Sequence, residues 1–426
     1  MDQPKKTYIN DALATKARDN MDLVKDVFGS LERINSLFLF ENNDNKVLTI
    51  LTKEGHEKLC KLGLLKNEGG LCQNCEVQLR LIKHKRKDGL IWKCTKCKVT
   101  TKSIRQNSVF HNSKITIYQI IVLTFQFAKR GSTKNTSALV GISHATAAEW
   151  SKYMRNVCTR LLLKLDMTMG GRNERVQLDE THFFSIPKHH RGRWRKYRNW
   201  LFVVVDEDST LFYCQLVRKR TRPALETIIN QIVKPGTHIK SDEHKAYYWL
   251  GKTTKKKVYH PCRPALYKHT TVCHKKEFKA QDGTHTNKVE GNNSLIKGPY
   301  KAMKGLPKNL IPQYLDQIMF ESWCNSVLPF STTSHSEAEK DKMANVMATY
   351  VAGLSILYCQ DEFKWEFETN YVSDGGMIDI NENLYDYYKD QGYAIDDSDV
   401  PVDDTSNFDA NCNENVLFEQ VQNTLE

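Results

Sequence analysis

The run Arg175-Val-Gln-Leu-Asp-Glu-Thr-His-Phe-Phe184 is apolar, β-branched and aromatic, with a carboxylate, Asp179, at its centre. A charge in mid-strand is costly unless it is paired or bound to a metal, so this stretch predicts a site as well as a sheet. Trp200–Val205 and Leu211–Val217 are two further strand-like runs, the second set off by the turn Asp206-Glu-Asp-Ser209. The period then changes: Pro223–Val233 places Leu225, Ile228, Ile229 and Ile232 on one helical face. Pro235-Gly236 breaks that run, and Thr237–Ser241 reads as a fourth strand closed by Asp242. Three strands, a helix and another strand predict an α/β domain.

Charge is divided unevenly along the 426 residues. The formal net charge of +12 hides a segment from Ser331 to Glu426 with 21 acidic and 4 basic residues, while residues 1–330 carry a net +29. A body this basic predicts a polyanion partner, nucleic acid ahead of a membrane surface. Ile115–Ala128 is uncharged but too short to span a bilayer, and it includes Thr116, Gln119, Thr124 and Gln126, so no membrane protein is expected. Met1-Asp-Gln-Pro-Lys-Lys6 has no apolar run behind it, and the expectation is a chain without a secretory signal. Twelve cysteines then point to reduced thiols and metal sites rather than disulfides.

Ahead of the first strand, Cys72-x2-Cys75 and Cys94-x2-Cys97 stand eighteen residues apart. Two such knuckles can close a tetrahedral structural Zn²⁺ site, and the intervening length suits a β-hairpin. Lys83, Lys85, Arg86, Lys87, Lys93, Lys96, Lys98 and Lys102, with Trp92 among them, suit phosphate contact. A zinc with no nucleic-acid role is the blander account. From Ser132 to Met154, a short helix ends near Val140, Gly141 allows a tight turn, and Ser143 is a plausible cap for a second helix. Ala147, Trp150, Tyr153 and Met154 would pack inward and His144, Thr146, Lys152 and Arg155 outward. That is a helix-turn-helix reading, with an ordinary helical hairpin as the alternative. Residues 1–70 read as helical, with apolar spacing in Met21–Val27 and Leu31–Phe40 and a short helix over Lys53–Leu65. They form a helical prefix or a dimerisation arm.

Glu290 lies in Thr286-Asn-Lys-Val-Glu-Gly-Asn-Asn-Ser-Leu-Ile-Lys297, a helix capped by Thr286 or Asn287. Glu290 and Lys297 sit about 20° off one face, and Val289 and Ile296 repeat the spacing on a buried stripe. Asp179, Asp242 and Glu290 could converge on two Mg²⁺ ions for in-line phosphoryl displacement. By residue type alone this signal is weak, since 50 acids are available.

Leu178-Asp-Glu-Thr181, Ser241-Asp-Glu-His-Lys-Ala-Tyr247, His285-Thr-Asn-Lys-Val-Glu290 with Lys297, and Gln313-Tyr-Leu-Asp-Gln-Ile-Met-Phe320 occur in that order. Together they resemble Merlin-type DDE transposases and the related bacterial insertion-sequence transposases of the ISXO2-like kind, from the Cys72 knuckle to about Trp323. The resemblance implies an RNase H-like catalytic domain that binds Mg²⁺ (or Mn²⁺). Asp179, Asp242 and Glu290 would be its metal-binding triad, Lys297 a phosphate contact, and Asn287 a reserve candidate for the third ligand. It implies cut-and-paste transposition on double-stranded DNA, both terminal inverted repeats and target, by a homodimer or higher homo-oligomer. Such a protein would be nuclear in a eukaryote and otherwise cytoplasmic with the chromosome. The family usually carries an aromatic residue where this chain has Asn293.

The expected order is a helical region (1–70), a zinc ribbon (71–110), a helix-turn-helix region (111–170), the catalytic domain (171–330), and a helical segment leading into an acidic tail (331–426) that reads as disordered from about residue 373. The alternatives are a catalytically inactive, domesticated zinc-ribbon DNA-binding regulator and a metal-dependent nuclease without strand transfer. His260, Cys262, His269, Cys273 and His274 could form a second zinc site, though ordinary fold residues are the simpler reading. Lys188–Arg198 could grip DNA backbone, and Lys83–Lys87 and Lys252–Lys257 could act as nuclear localisation signals.

Overall fold

The computed structural model describes residues 3–43, 46–85, 87–187, 196–250, 267–272, 286–302, 310–328 and 335–359. The chain opens with α1 (Gln3–Asp19), α2 (Met21–Phe28) and α3 (Leu31–Ser36). The helix expected over Leu31–Phe40 stops at Ser36. Phe38–Asn43 (β1) instead pairs antiparallel with Lys46–Leu51 (β2), Phe38 opposite Leu51. Both runs are short, apolar and rich in β-formers, and Asn42-Asn-Asp-Asn45 between them has turn composition. The 3–4 spacing of Leu31, Ile34, Leu37 and Phe38 imitates a helical stripe and hides this hairpin. Thr52 then caps α4 (Lys53–Lys61), accepting the Gly55 N–H at 2.9 Å.

The cysteine knuckles flank the β3–β4 hairpin of a three-stranded antiparallel sheet ordered β3 (Arg80–Lys83), β4 (Leu90–Lys93), β5 (Thr101–Ser103), with the second knuckle between β4 and β5. Trp92, which stands among the cations expected to contact phosphate, does not face solvent. It is buried against Gly69, where a Cβ would come within 2.6 Å of the indole. Asp88 joins this sheet to its surroundings. Its carbonyl accepts the Leu51 N–H at 3.0 Å, and its carboxylate takes Arg105 Nε and Nη2 at 2.6 and 2.7 Å and the Ile117 N–H at 3.0 Å. Both side chains of this ion pair are buried. Removing one partner strands the other charge, so Asp88→Ala is expected to cost about 3–5 kcal/mol in a denaturant titration. A loss under about 1 kcal/mol would mean the pair behaves like a solvent-exposed one.

Helix α5 (Ile117–Ala128) starts with a reciprocal Thr116–Gln119 capping box and precedes α6 (Thr133–Val140) and α7 (His144–Lys164). The turn between α6 and α7 follows the expected chemistry. Gly141 is left-handed at φ 69°, and Ser143 accepts the Thr146 N–H at 3.1 Å. Ala147, Trp150 and Met154 are buried, and His144 and Lys152 are exposed. Arg155 departs from the expectation, because it is half-buried and its Nε donates to Gln317 Oε1 at 3.2 Å.

The large sheet is ordered β10 (Lys268–Val272), β9 (His238–Asp242), β6 (Arg175–Pro187), β7 (Lys196–Asp206), β8 (Phe212–Val217). β6, β7 and β8 are antiparallel, whereas β9 runs parallel to β6 and β10 parallel to β9. Helix α8 (Arg222–Ile232) links β8 to β9 and covers one face, packing Leu225, Ile228 and Ile229 on Val176, Leu178, Phe202 and Ile239. The other face carries α9 (Asn287–Ala302) and α10 (Ile311–Val327). A short 3₁₀ turn, Lys245–Tyr247, follows β9. Because β6, β8 and β9 point the same way, the connections after all three leave from one end of the sheet. The acidic β7–β8 turn lies at the other end.

Helix α11 (His335–Cys359), in the helical segment expected after residue 331, belongs to the core. Met347, Ala348, Val351 and Ala352 are buried, and a Cβ on Gly353 would sit 2.4 Å from a Leu161 methyl. Lys25 Nζ pairs with Asp341 Oδ1 at 3.1 Å and Lys16 Nζ donates to Ser355 Oγ at 2.8 Å. The helices of residues 1–70, expected as a prefix or a dimerisation arm, thus pack on α11 within one chain. The acidic segment from residue 360 lies outside the described residues. Among the described residues no helix is long and apolar enough to cross a membrane.

Candidate active site

Side chains alternate along a strand, so Gln177, Asp179, Thr181 and Phe183 of β6 face one side, and each meets α9. Gln177 Oε1 accepts the Lys288 and Val289 N–H groups, both at 3.1 Å. Asp179 Oδ2 accepts from Asn293 Nδ2 at 2.6 Å, Lys297 Nζ donates to Thr181 Oγ1, and the Phe183 and Tyr300 rings lie 4.6 Å apart. Two strand residues advance about 6.6 Å and four helical residues about 6.0 Å, so a helix laid along the strand keeps pace with it. Val289 and Ile296, on the same helix, are fully buried as their spacing predicts.

The buried Gln177 sets this register. Its amide nitrogen donates to Glu207 Oε1 at 2.7 Å, and Glu207 also takes Lys240 Nζ at 2.7 and 2.9 Å. Lys288 Nζ closes the network on the Glu207 and Ser209 carbonyls, each at 2.6 Å. Sequence reading passed over all four of these residues. The available signal was a glutamine two places before Asp179, on the same strand face.

β6 pairs with β9 through Gln177 and Lys240, so Asp179 and Asp242, two residues further on, stand side by side on strands about 4.8 Å apart. Asp242 Oδ1 accepts the His244 N–H at 3.0 Å. Glu290 is exposed on the first turn of α9 and accepts from Thr286 Oγ1 at 3.3 Å. Burial first, then the Asp242 charge and more weakly Glu290, push the Asp179 carboxyl up to about 6, while the Asn293 hydrogen bond pulls the other way. Burial and the nearby Lys301 hold the Lys297 ammonium below its ordinary value. Asn287 is exposed at the first residue of α9.

The structure therefore brings Asp242, Glu290 and Lys297 within electrostatic reach of Asp179 and adds Asn293 as its hydrogen-bond partner. Asn293 is buried where the family pattern has an aromatic ring, and its Oδ1 has no hydrogen-bond partner. On the opposite face, the Glu180 side chain is fully buried. It accepts from the Tyr247 hydroxyl at 2.7 Å, and its other oxygen has no hydrogen-bond partner among the described residues. Burial pushes Glu180 up to about 8. Burial, then the Arg220 charge, hold the His244 imidazole below its ordinary value. The donors on the α9 face are all carboxylate oxygens, the ligands hard divalent cations prefer, and their mutual repulsion at Asp179 is what such a cation relieves. By this test the residues fit Mg²⁺ or Mn²⁺.

Among the described residues, the ligand atoms of Cys72, Cys75, Cys94 and Cys97 form the one group lying within 4.8 Å of one another, so the three carboxylates are spread more widely. Cys72 Sγ and Cys97 Sγ are 3.6 Å apart, close to the roughly 3.8 Å edge of a tetrahedron with zinc–sulfur bonds near 2.3 Å. The knuckles repeat one backbone shape: the residue after each second cysteine, Glu76 and Lys98, is left-handed at φ 55° and 60°. The Thr100 and Val99 N–H groups lower the Cys97 thiol to about 6, whereas burial raises Cys75 to about 12. Of the second suggested zinc cluster only His269 is described. Its Nε2 lies 2.9 Å from Ser241 Oγ, and burial holds its imidazole down at about 4. His260, Cys262, Cys273 and His274 lie outside the described residues, as do Lys252–Lys257 and 188–195 of the basic loop.

Residues 171–322 match the family model of the ISXO2-like transposase domain. The match covers 152 of the 426 residues. The matched segment holds Asp179, Asp242, Glu290, Asn293 and Lys297, and the cysteine knuckles and helices α5–α7 precede it. Its α10 is tied to α7 by Thr159 Oγ1 donating to Asp316 Oδ2 at 2.7 Å. No curated protein matches the chain. Among solved structures, it is similar to a chain of the cryoEM structure of the simian T-cell lymphotropic virus intasome in complex with PP2A regulatory subunit B56 gamma. The identity is 18% over 50% of this chain and 70% of that chain, at a TM-score of 0.24, too low to establish a shared fold.

Proposed function

We propose that the protein is a DNA transposase that binds transposon ends and catalyses metal-dependent strand cleavage and strand transfer through an RNase H-like domain spanning residues 171–330. The observation that carries this reading is the β6–α9 register, in which Asn293 donates to Asp179 and Lys297 to Thr181, inside the segment that matches the transposase domain model. Three antiparallel strands flanked by two parallel ones support the RNase H-like assignment.

Asp179, Asp242 and Glu290 would hold Mg²⁺ or Mn²⁺, which when bound activates the attacking water or 3′-hydroxyl and stabilises the leaving oxygen. Asn293 fixes one oxygen of Asp179 so that the other faces the substrate. Lys297, anchored on Thr181, presents a cation to the phosphate next to the reacting one. The Gln177 network locks the start of α9 and so fixes the distance from Glu290 to the strand. The cysteine knuckles, closed by zinc, and the α6–α7 pair, presenting His144, Thr146 and Lys152, serve as the DNA-binding elements of residues 71–110 and 111–170. Two ends must meet in one complex, so the working unit is at least a homodimer, placed in the nucleus in a eukaryotic host.

The test is Mg²⁺-dependent nicking of labelled DNA ends by the wild-type chain. Cleavage independent of Asp179 would defeat the reading. Asn293→Leu, which removes the donor to Asp179 but not the ligand itself, is expected to slow cleavage about 10–100-fold with DNA binding unchanged. An unchanged rate would mean Asp179 needs no such orientation.

A further inference from the structure

Arg220 lies in the connection Arg218-Lys-Arg-Thr221 between β8 and α8. Its guanidinium carbon rests 3.9 Å from the centre of the Trp200 ring. Trp200 stands opposite His182 of β6 and Val217 of β8 in the sheet, and His182 meets the same indole edge-on at 6.0 Å. His182 directly follows Thr181, the residue that Lys297 touches from the other face. Neighbouring strand residues point to opposite faces, so β6 beyond Asp179 carries one cation on its α9 side and another on its α8 side.

We propose that Arg220 is a second phosphate clamp, which binds a DNA backbone phosphate on the α8 side of this strand end, away from the reacting one. The inference rests on the transposase reading and adds a substrate contact to it.

The local chemistry favours a phosphate over a protein carboxylate. Arg222 is already tied to Glu226 at 3.1 Å, whereas Arg220 has no such ion pair among the described residues, although its charge reaches the buried Glu180. A guanidinium stacked on an indole is held flat and still presents its N–H edge for a two-pronged contact, which a lysine ammonium cannot reproduce. The Arg220 charge reaches His244, whose backbone N–H binds Asp242, so the clamp lies at the same end of the sheet as the carboxylates. Arg218 and Lys219 of the same connection are exposed, and the opposite end of the sheet carries Asp206-Glu-Asp-Ser209. A polyanion is therefore drawn to the carboxylate end.

The test uses the full chain and an arbitrary-sequence duplex oligonucleotide, with binding followed by fluorescence anisotropy across a salt series. Arg220→Gln is expected to flatten the slope of log binding constant against log salt by about 0.9, the signature of one lost phosphate contact. Arg220→Lys should restore the slope by keeping the charge, which also shows that the loop tolerates substitution. Lys234→Gln removes an exposed cation at the other end of the sheet and should leave the slope at the wild-type value. A wild-type slope in Arg220→Gln, or equal flattening in Lys234→Gln, overturns the clamp. If cleavage still depends on Asp179 in that case, only the clamp falls. Cleavage by Asp179→Asn would instead remove the transposase reading beneath it.

Discussion

Asp179→Asn, Asp242→Asn and Glu290→Gln should each reduce Mg²⁺-dependent strand cleavage by on the order of a thousandfold, while duplex binding in a gel shift stays intact or tightens. Each change keeps the side-chain shape and removes one negative ligand. A catalytic metal supplies several kcal/mol of charge stabilisation in the transition state, and every ~1.4 kcal/mol lost is a factor of ten. Binding is expected to survive because it depends on the basic body, whose net +29 in residues 1–330 far exceeds one carboxylate. The three positions should also differ in a way the structure anticipates. Asp179 is buried and bonded to Asn293, so an amide there meets another amide and disturbs the register of α9, whereas Glu290 is exposed and its replacement is local. Asn287→Ala, at the exposed first residue of the helix, should cost far less than Glu290→Gln if the carboxylate is the third ligand. Equal losses would move that role to Asn287, and full cleavage by the Asp179 or Asp242 variant would leave a DNA-binding protein without this chemistry.

What could be read from the sequence follows the range of the interactions involved. Strand β6, with a carboxylate stranded in an apolar run, and α9, with Val289 and Ile296 one stripe apart, declare themselves through periodicity alone. The turn at Gly141 and the cap at Ser143 are equally local. Asn293 could not be read this way, because its role is a hydrogen bond to a residue 114 positions earlier, and an amide inside a helix has no pattern to betray it. Gln177 is the same case at nearly the same separation. Arg155 and Trp92 failed for a different reason. Their chemical types suit nucleic acid, and only the packing of α10 and of Gly69 against them shows that they face inward. Helix α11 was legible as a helical segment but not as a core element, although it lacks a polar face over much of its length. Such a helix is buried all round, and here α1, α2, α5, α7 and α10 surround it.

Cys94→Ser should abolish zinc binding and destabilise far more of the chain than the ribbon itself. A serine hydroxyl stays protonated near neutrality and cannot replace a thiolate in a four-sulfur site. Structural zinc contributes about 10–16 kcal/mol of binding free energy in small domains, as much as the whole stability of a typical protein, about 5–15 kcal/mol. How far the loss spreads depends on what the ribbon touches. Leu90 and Trp92 of β4 belong to the same buried cluster as Leu51, Leu59 and Ile117, and Asp88 bonds to both Leu51 and Ile117. Melting the knuckles should therefore also loosen β2, α4 and the start of α5. The cluster under α8, built from Val176, Leu178, Leu225 and Ile229, is separate and should hold. Hydrogen exchange on the variant is expected to show lost protection across residues 71–105, reduced protection in β2 and α4, and unchanged protection in α8. Elemental analysis should fall from one zinc per chain to none. An unchanged zinc content would overturn the four-cysteine assignment. A loss of protection confined to residues 71–105 would show that the Asp88 junction does not couple the ribbon to the body.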